Sequence, residues 1–278
     1  MAKSDYAEGH KKHLKEYAQR KNMPIGGSWQ GKGEYDYILK FTKDKNSARS
    51  KQNKYEMVCE YNILDDVDTT KFKQKDMHSF AHHLNSSQIL CYNFFRPYID
   101  ENGGASQSLV DLLLNQGISI EQGAKCTFEY TDNLDKMEKK RGDKPTEFDF
   151  HIIGSDVEVF FEIKYTENSF GSAEKNDNHK EKYELIYKPL LKNAPCLNHT
   201  PGFEEFAKFY QLYRNAVRIT DKKKYLVLLY PEENESVEKQ AKEFVENKVK
   251  PEYQENIKRV YWKKIVEEDS ELYEKYFA

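Results

Sequence analysis

Cysteine is scarce: four in 278 residues, Cys59, Cys91, Cys126 and Cys196, with no CxxC pair among them. That spacing suggests neither a zinc site nor a disulfide framework, and the thiols read as small buried hydrophobes. Long apolar runs are missing too. No stretch approaches the roughly 18 residues that a membrane span needs. The start, MAKSDYAEGHKKHLKEY, lacks the apolar segment of a signal peptide. The chain is therefore expected in the cytoplasm and away from membranes. No internal repeat and no low-complexity linker is present. A charge of one sign is absent as well, since 44 Lys/Arg face 47 Asp/Glu for a net charge of −3. That balance announces no polyanion-binding protein. Only residues 1–54 lean one way, with 13 Lys/Arg against 6 Asp/Glu. Such a basic arm could meet phosphates, or simply be a solvated surface.

What is present suits one large domain, or one domain with an extension. Residues 4–21 read as a helix capped by Ser4, and 44–54, DKNSARSKQNK, as an exposed loop. A boundary near residue 75 would separate a basic, partly helical extension (1–75) from the main domain (76–278). From Asp76 a helical pattern runs to about Pro97, with Phe80, Leu84, Cys91, Phe94 and Phe95 inward. SLVDLLLNQG forms a short helix closed by Gly117, and CTFEYT has strand composition. NLDKMEKKRGDK reads as a charged loop. After two further strands, at 146–153 and 156–166, the polar segment 167–202 reads as an irregular insertion. Residues 203–219 have helical period, KYLVLLY (224–230) is a near-continuous apolar strand of the central kind, and a helix and a strand finish the chain.

FDFHIIGSDVEVFFEIKYTE, residues 148–167, alternates apolar and polar positions as a hairpin does. A two-residue Gly154-Ser155 turn, with Gly154 at positive φ, sets position 149 opposite 160; a four-residue loop sets it opposite 162. Both registers place Asp149, Glu162 and Lys164 on one face. Any hairpin packed on one side shows polar residues on the other, so alternation alone implies only a wet face. The carboxylates Glu147, Asp149, Glu158 and Glu162 add to that. Like charges facing each other across strands destabilise a sheet by a fraction of a kcal/mol up to about 1 kcal/mol. A divalent cation reverses the penalty, and Mg²⁺ suits one or two carboxylates plus water and phosphate. An ammonium beside it, Lys164, can orient or help deprotonate a water.

Asp149, a 12-residue gap and then Glu162-Ile163-Lys164 resemble the D…(D/E)xK signature of the PD-(D/E)XK nuclease superfamily. The wider TEFDF…FFEIKYTENSFG is similar to one bacterial branch of its restriction-endonuclease-like proteins. The resemblance covers residues 76–230. It implies an α/β fold with the restriction-endonuclease-like αβββαβ core, a mixed central sheet flanked by helices, and here an N-terminal helical extension. It further implies a Mg²⁺-dependent nuclease, with Mn²⁺ as a substitute ion, acting on double-stranded DNA in restriction or phage defence. A palindromic DNA site would bring a homodimer with it. Asp149, Glu162 and the Ile163 carbonyl would ligate the metal, and Lys164 would position or activate the water. Gln211, on the helix after the ExK strand, would hold a water or a phosphate oxygen, and Arg214 a phosphate. Glu147 is a spare carboxylate, His151 faces either a phosphate or Glu158, and the lysines and tyrosines of 167–202 could meet phosphates. The family's proline before the aspartate is displaced, with Phe148 in its place. Residues 77–98 contain no acid, leaving Gln88 as the stand-in for the one often supplied by the first helix. Two other functions compete with this one. A non-catalytic DNA-binding or scaffolding protein on the same fold would usually have lost one of Asp149, Glu162 and Lys164. A carboxylate-pair glycosidase leaves Lys164 unexplained.

Overall fold

The computed structural model describes residues 5–29, 31–41, 49–136 and 145–278. Ser4, residues 44–48 of the expected exposed loop and residues 137–144 of the expected charged loop lie outside them. Contacts divide the chain into two compact units, residues 1–98 with 263–278, and residues 99–262. This partition cuts at 98/99 and 262/263. Among the described residues no helix is long and apolar enough to cross a membrane.

The first unit holds α1 (Asp5–Arg20), the antiparallel pair β1 (Ile25–Ser28) and β2 (Glu34–Leu39), α2 (Arg49–Met57) and α3 (Ser87–Phe95). Two expectations change here. The exposed loop 44–54 gives way to α2 from Arg49 onward. The long helix from Asp76 shrinks to α3, because Ser86 is its N-cap, with Oγ accepting from the Ile89 N–H. Upstream the chain turns, and His83 makes an isolated bridge to Ile38. Leu84, Cys91, Phe94 and Phe95 are buried as expected, but Phe80, outside any helix, is exposed.

The second unit begins with α4 (Gln107–Leu114), capped by Ser106 and ended by Gly117 at φ 75°. Three strands follow: β3 (Lys125–Asp132), β4 (Thr146–Ile153) and β5 (Glu158–Ile163). Next come α5 (Asp177–Lys182), a π turn (Tyr183–Tyr187), α6 (Lys188–Asn193), α7 (Phe203–Lys208) and α8 (Tyr210–Ala216). Finally β6 (Lys224–Tyr230), α9 (Glu235–Lys248) and β7 (Ile257–Tyr261) complete the unit, and α10 (Glu271–Tyr276) belongs to the first. The sheet order is β3-β4-β5-β6-β7, antiparallel through the first three strands and parallel through the last three. The order helix, three strands, helix, strand is therefore as expected, on a mixed sheet flanked by helices. KYLVLLY occupies β6, bonded on both sides, which is why its apolar run is unbroken.

The segment 167–202 is not an irregular insertion. Asn176 caps α5 through its Oδ1, and Tyr183, Tyr187 and Leu191 enter the core around Phe206. Its lysines are largely committed: Lys175 pairs with Glu204, Lys188 with Glu184, and Lys182 is buried beside the Tyr187 ring. The single helix expected over 203–219 breaks into α7 and α8 at Phe209, whose φ of −112° and ψ of 36° leave the helical region. Cys91 and Cys196 are buried, whereas Cys59 and Cys126 are only partly so. Burial pushes the Cys126 and Cys196 thiols up to about 12.

Candidate active site at the β4–β5 hairpin

The hairpin register decides which residues meet. Phe150 pairs with Phe161 and Ile153 with Glu158, so the connection is the four-residue one, residues 154–157. Continuing that ladder one step sets Asp149 opposite Glu162. Gly154 is not at positive φ; its role is close approach, since a Cβ there would strike the Glu121 carboxylate that accepts from the Ser155 N–H.

Simple alternation fails at one point. Phe150 packs on Phe128 and Phe161, but Phe148 packs on Phe160, and Tyr130 stacks on His151 with ring centres 3.9 Å apart. The pleat changes phase between Phe148 and Phe150, where the β3–β4 pairing skips Glu129 and Asp149. Glu129 stands there in the left-handed region at φ 48°, a conformation that is strained for a side chain with a Cβ. The supposed wet face is therefore covered by helices and aromatics, apart from one polar pocket.

In that pocket Asp149 Oδ2 accepts from the Ile163 backbone N–H at 2.7 Å. Lys164 Nζ donates to Glu162 Oε1 at 2.6 Å, and Asn215 Nδ2, from α8, donates to Glu162 Oε2 at 2.8 Å. Trp262 Nε1 donates to the Lys164 carbonyl at 3.1 Å and fixes the end of the strand. Glu162 is 2% exposed and Lys164 9%. Burial, then Glu162 and more weakly Glu129, push the Asp149 carboxyl well above the ordinary carboxylate range, against the pull of Lys164 and the Ile163 N–H. Burial works against the Lys164 ammonium, yet Glu162, Glu167 and Asp149 together hold it above its ordinary value.

Among the described residues no three His, Cys, Asp or Glu side chains gather as a metal cluster. The donor set is Asp149 and Glu162, two hard carboxylates, the first driven toward its neutral form by burial and then by the second. That chemistry fits a small divalent cation, which takes one or two carboxylates and completes its shell with water and phosphate. Zinc's nitrogen and sulfur ligands are not provided.

Other expected residues stand apart. His151 is buried, with Nε2 3.0 Å from Glu158 Oε1, and so belongs to Glu158 and not to a phosphate. Arg214 is neither a surface ion pair nor turned to a phosphate. Its guanidinium bonds Asp135 at 3.1 Å and lies over the Tyr210 ring. Glu147 is exposed on β4, opposite Thr131. Gln211 is half-buried against Gly171, one helical turn before Asn215. Gln88 lies in the first unit, where its Oε1 accepts from the His78 N–H.

Sequence reasoning missed Asn215, Asp135 and Glu129. Asn215 had a signal: it is a polar residue on the apolar stripe of α8, between Tyr213 and Ala216. The model of a family described as "Restriction Endonuclease associating with ARP" matches residues 11–278. No curated protein and no solved structure matches the chain.

Proposed function

Because the chain belongs to the family of restriction endonucleases associating with ARP, we propose that it hydrolyses phosphodiester bonds in DNA with the help of Mg²⁺. Membership gives it a nuclease-like role; the metal, the substrate and the residues are the finer part of the proposal. The observation that carries it is the pocket at the hairpin: Asp149 opposite Glu162, with the Lys164 ammonium 2.6 Å from the Glu162 carboxylate. Asp149, Glu162 and the Ile163 carbonyl would hold the ion. When bound, Mg²⁺ supplies charge stabilisation for the phosphoryl oxygens and a more acidic water.

The chain's own groups do the rest. Lys164 is charged and tethered to Glu162 Oε1, so it acts as a donor. With Glu162 engaged in holding an ion, the Lys164 Nζ would orient the attacking water and meet a phosphate oxygen. Gln211, one helical turn before Asn215 on α8, would hold a second oxygen. Phe170, whose ring lies 5.8 Å from Lys164 Nζ, screens that ammonium from solvent. By analogy with the restriction-endonuclease family, the reading extends to a defence role and a double-stranded substrate.

The test is purified protein with supercoiled, linear and single-stranded DNA in Mg²⁺ or Mn²⁺, alongside EDTA and Asp149→Asn. The expected result is cleavage that EDTA and the substitution both abolish. DNA binding without cleavage in any divalent ion would favour a non-catalytic protein on the same fold.

The same variant has a second expected outcome. A carboxyl whose folded pKa is raised costs stability as pH rises above the ordinary carboxylate range. Metal-free Asp149→Asn should therefore melt higher than the wild type at pH 7, at about 2–4 °C per kcal/mol recovered for a chain of this size class. The advantage should shrink as pH falls toward about 4, where the unfolded carboxyl also takes up its proton. An unchanged melting temperature at every pH would mean that Asp149 is not under the strain its surroundings imply.

A further inference from the structure

We propose that Asn215 is a positioning residue: it holds the Glu162 carboxylate in one orientation so that the opposite oxygen can serve a divalent cation. The inference rests on the nuclease reading of the pocket. Asn215 is fully buried in α8, among Leu212, Tyr213 and Ala216. Its Nδ2 donates to Glu162 Oε2 at 2.8 Å, while its Oδ1 is buried with no hydrogen-bond partner among the described residues. A carboxylate only accepts, so Glu162 dictates which end of the amide faces it and the carbonyl is left over. An orphaned buried acceptor costs stability, and an apolar side chain of the same volume would avoid that cost. The arrangement makes sense for what the Nδ2 does.

Glu162 is clamped from two sides, by Lys164 Nζ on Oε1 and by Asn215 Nδ2 on Oε2. The two donors differ in kind. Lys164 is a cation on a flexible stem that competes with a metal for Oε1. Asn215 is neutral and rigid, so it can keep Oε2 while a second positive charge arrives. When Lys164 turns to water or phosphate, Oε1 is freed and the carboxylate does not rotate. A second lysine at position 215 would repel the ion, and a leucine would leave Glu162 held by one oxygen. Partners behind a metal ligand commonly set its affinity in this way.

The experiment measures Mn²⁺ binding by calorimetry to the full chain as wild type, Asn215→Leu and Asn215→Ser, with metal-free melting curves and steady-state cleavage. Leu fills the volume without a donor, and Ser keeps a shorter one. Expected is a loss of Mn²⁺ affinity of about 10–100-fold for Asn215→Leu, with a smaller loss for Asn215→Ser. kcat should fall while KM for DNA holds. If Asn215→Leu does not fold, the Ser variant gives the same answer. Unchanged Mn²⁺ affinity in a folded variant, whatever its melting temperature, would reduce Asn215 to a packing residue and overturn the inference. A wild type that binds no Mn²⁺ would instead sink the metal-site reading itself, and this inference with it.

Discussion

Lys164→Met is expected to lower DNA cleavage by about 10²–10⁴-fold, the range of a positioned proton-transfer or water-orienting group. It should also destabilise the metal-free protein. Glu162 is 2% exposed, and its Oε1 has Lys164 as its charged partner. Removing one member of a buried pair leaves the other uncompensated, at about 3–5 kcal/mol. The informative measurement is the melting temperature of wild type and variant across a Mg²⁺ titration, beside cleavage gels. In the wild type the ion must compete with an ammonium already on Glu162. In the variant it meets a carboxylate held only by the neutral Asn215 amide, so Mg²⁺ should raise the melting temperature more in Lys164→Met than in the wild type. Activity retained in the variant would mean that Lys164 only balances the charge of Glu162.

The parts of this molecule that could be read in advance are those whose cause is local. KYLVLLY is central because its apolar run demands burial on both faces, and α4 starts and stops at Ser106 and Gly117 because those residues suit caps. The hairpin's two candidate registers were both legible; choosing between them required Glu121, 33 positions before Gly154, whose carboxylate blocks any side chain at the turn. What was not legible depends on distant partners. Arg214 was read as facing phosphate or solvent because Asp135, 79 residues earlier, sat in what looked like a charged loop. Asn215 was passed over because Glu162 lies 53 residues away. The tyrosines of 167–202 looked like a polar insertion's decoration, yet their rings fill the core between α6 and α7.

Two carboxylates in the second unit show opposite uses of charge. At Asp149, burial and the neighbouring Glu162 and Glu129 disfavour the charge, against the pull of Lys164 and the Ile163 N–H. Asp135 is the reverse. It is fully buried and accepts from the Thr146 N–H and Oγ1, the Tyr187 hydroxyl, Arg214 and Arg218. Burial alone would raise its carboxyl; Arg218, then Tyr187, Thr146 and Arg214, hold it well below the usual range. The network ties the segment after β3, the first residue of β4, the π turn and α8 together behind the candidate site.

Asp135→Asn is therefore expected to destabilise the protein by about 3–5 kcal/mol, against a typical domain stability of about 5–15 kcal/mol. It keeps the shape but strands Arg214 without its acid and leaves Arg218 only Asp132, 2.9 Å from its Nε. Urea unfolding at pH 7 checks it, with Arg214→Met as a companion that should cost less, because Arg218 still faces Asp135. The pH dependence separates charge from packing. A carboxyl with a depressed folded pKa contributes its full stability above its unfolded value, about 3.9, and loses it as pH falls below that. The gap between wild type and Asp135→Asn should be widest from pH 5 to 8 and should close progressively in more acid solution. A gap that stays constant down to low pH would assign the loss to misplaced hydrogen bonds, and the buried charge would then contribute nothing of its own.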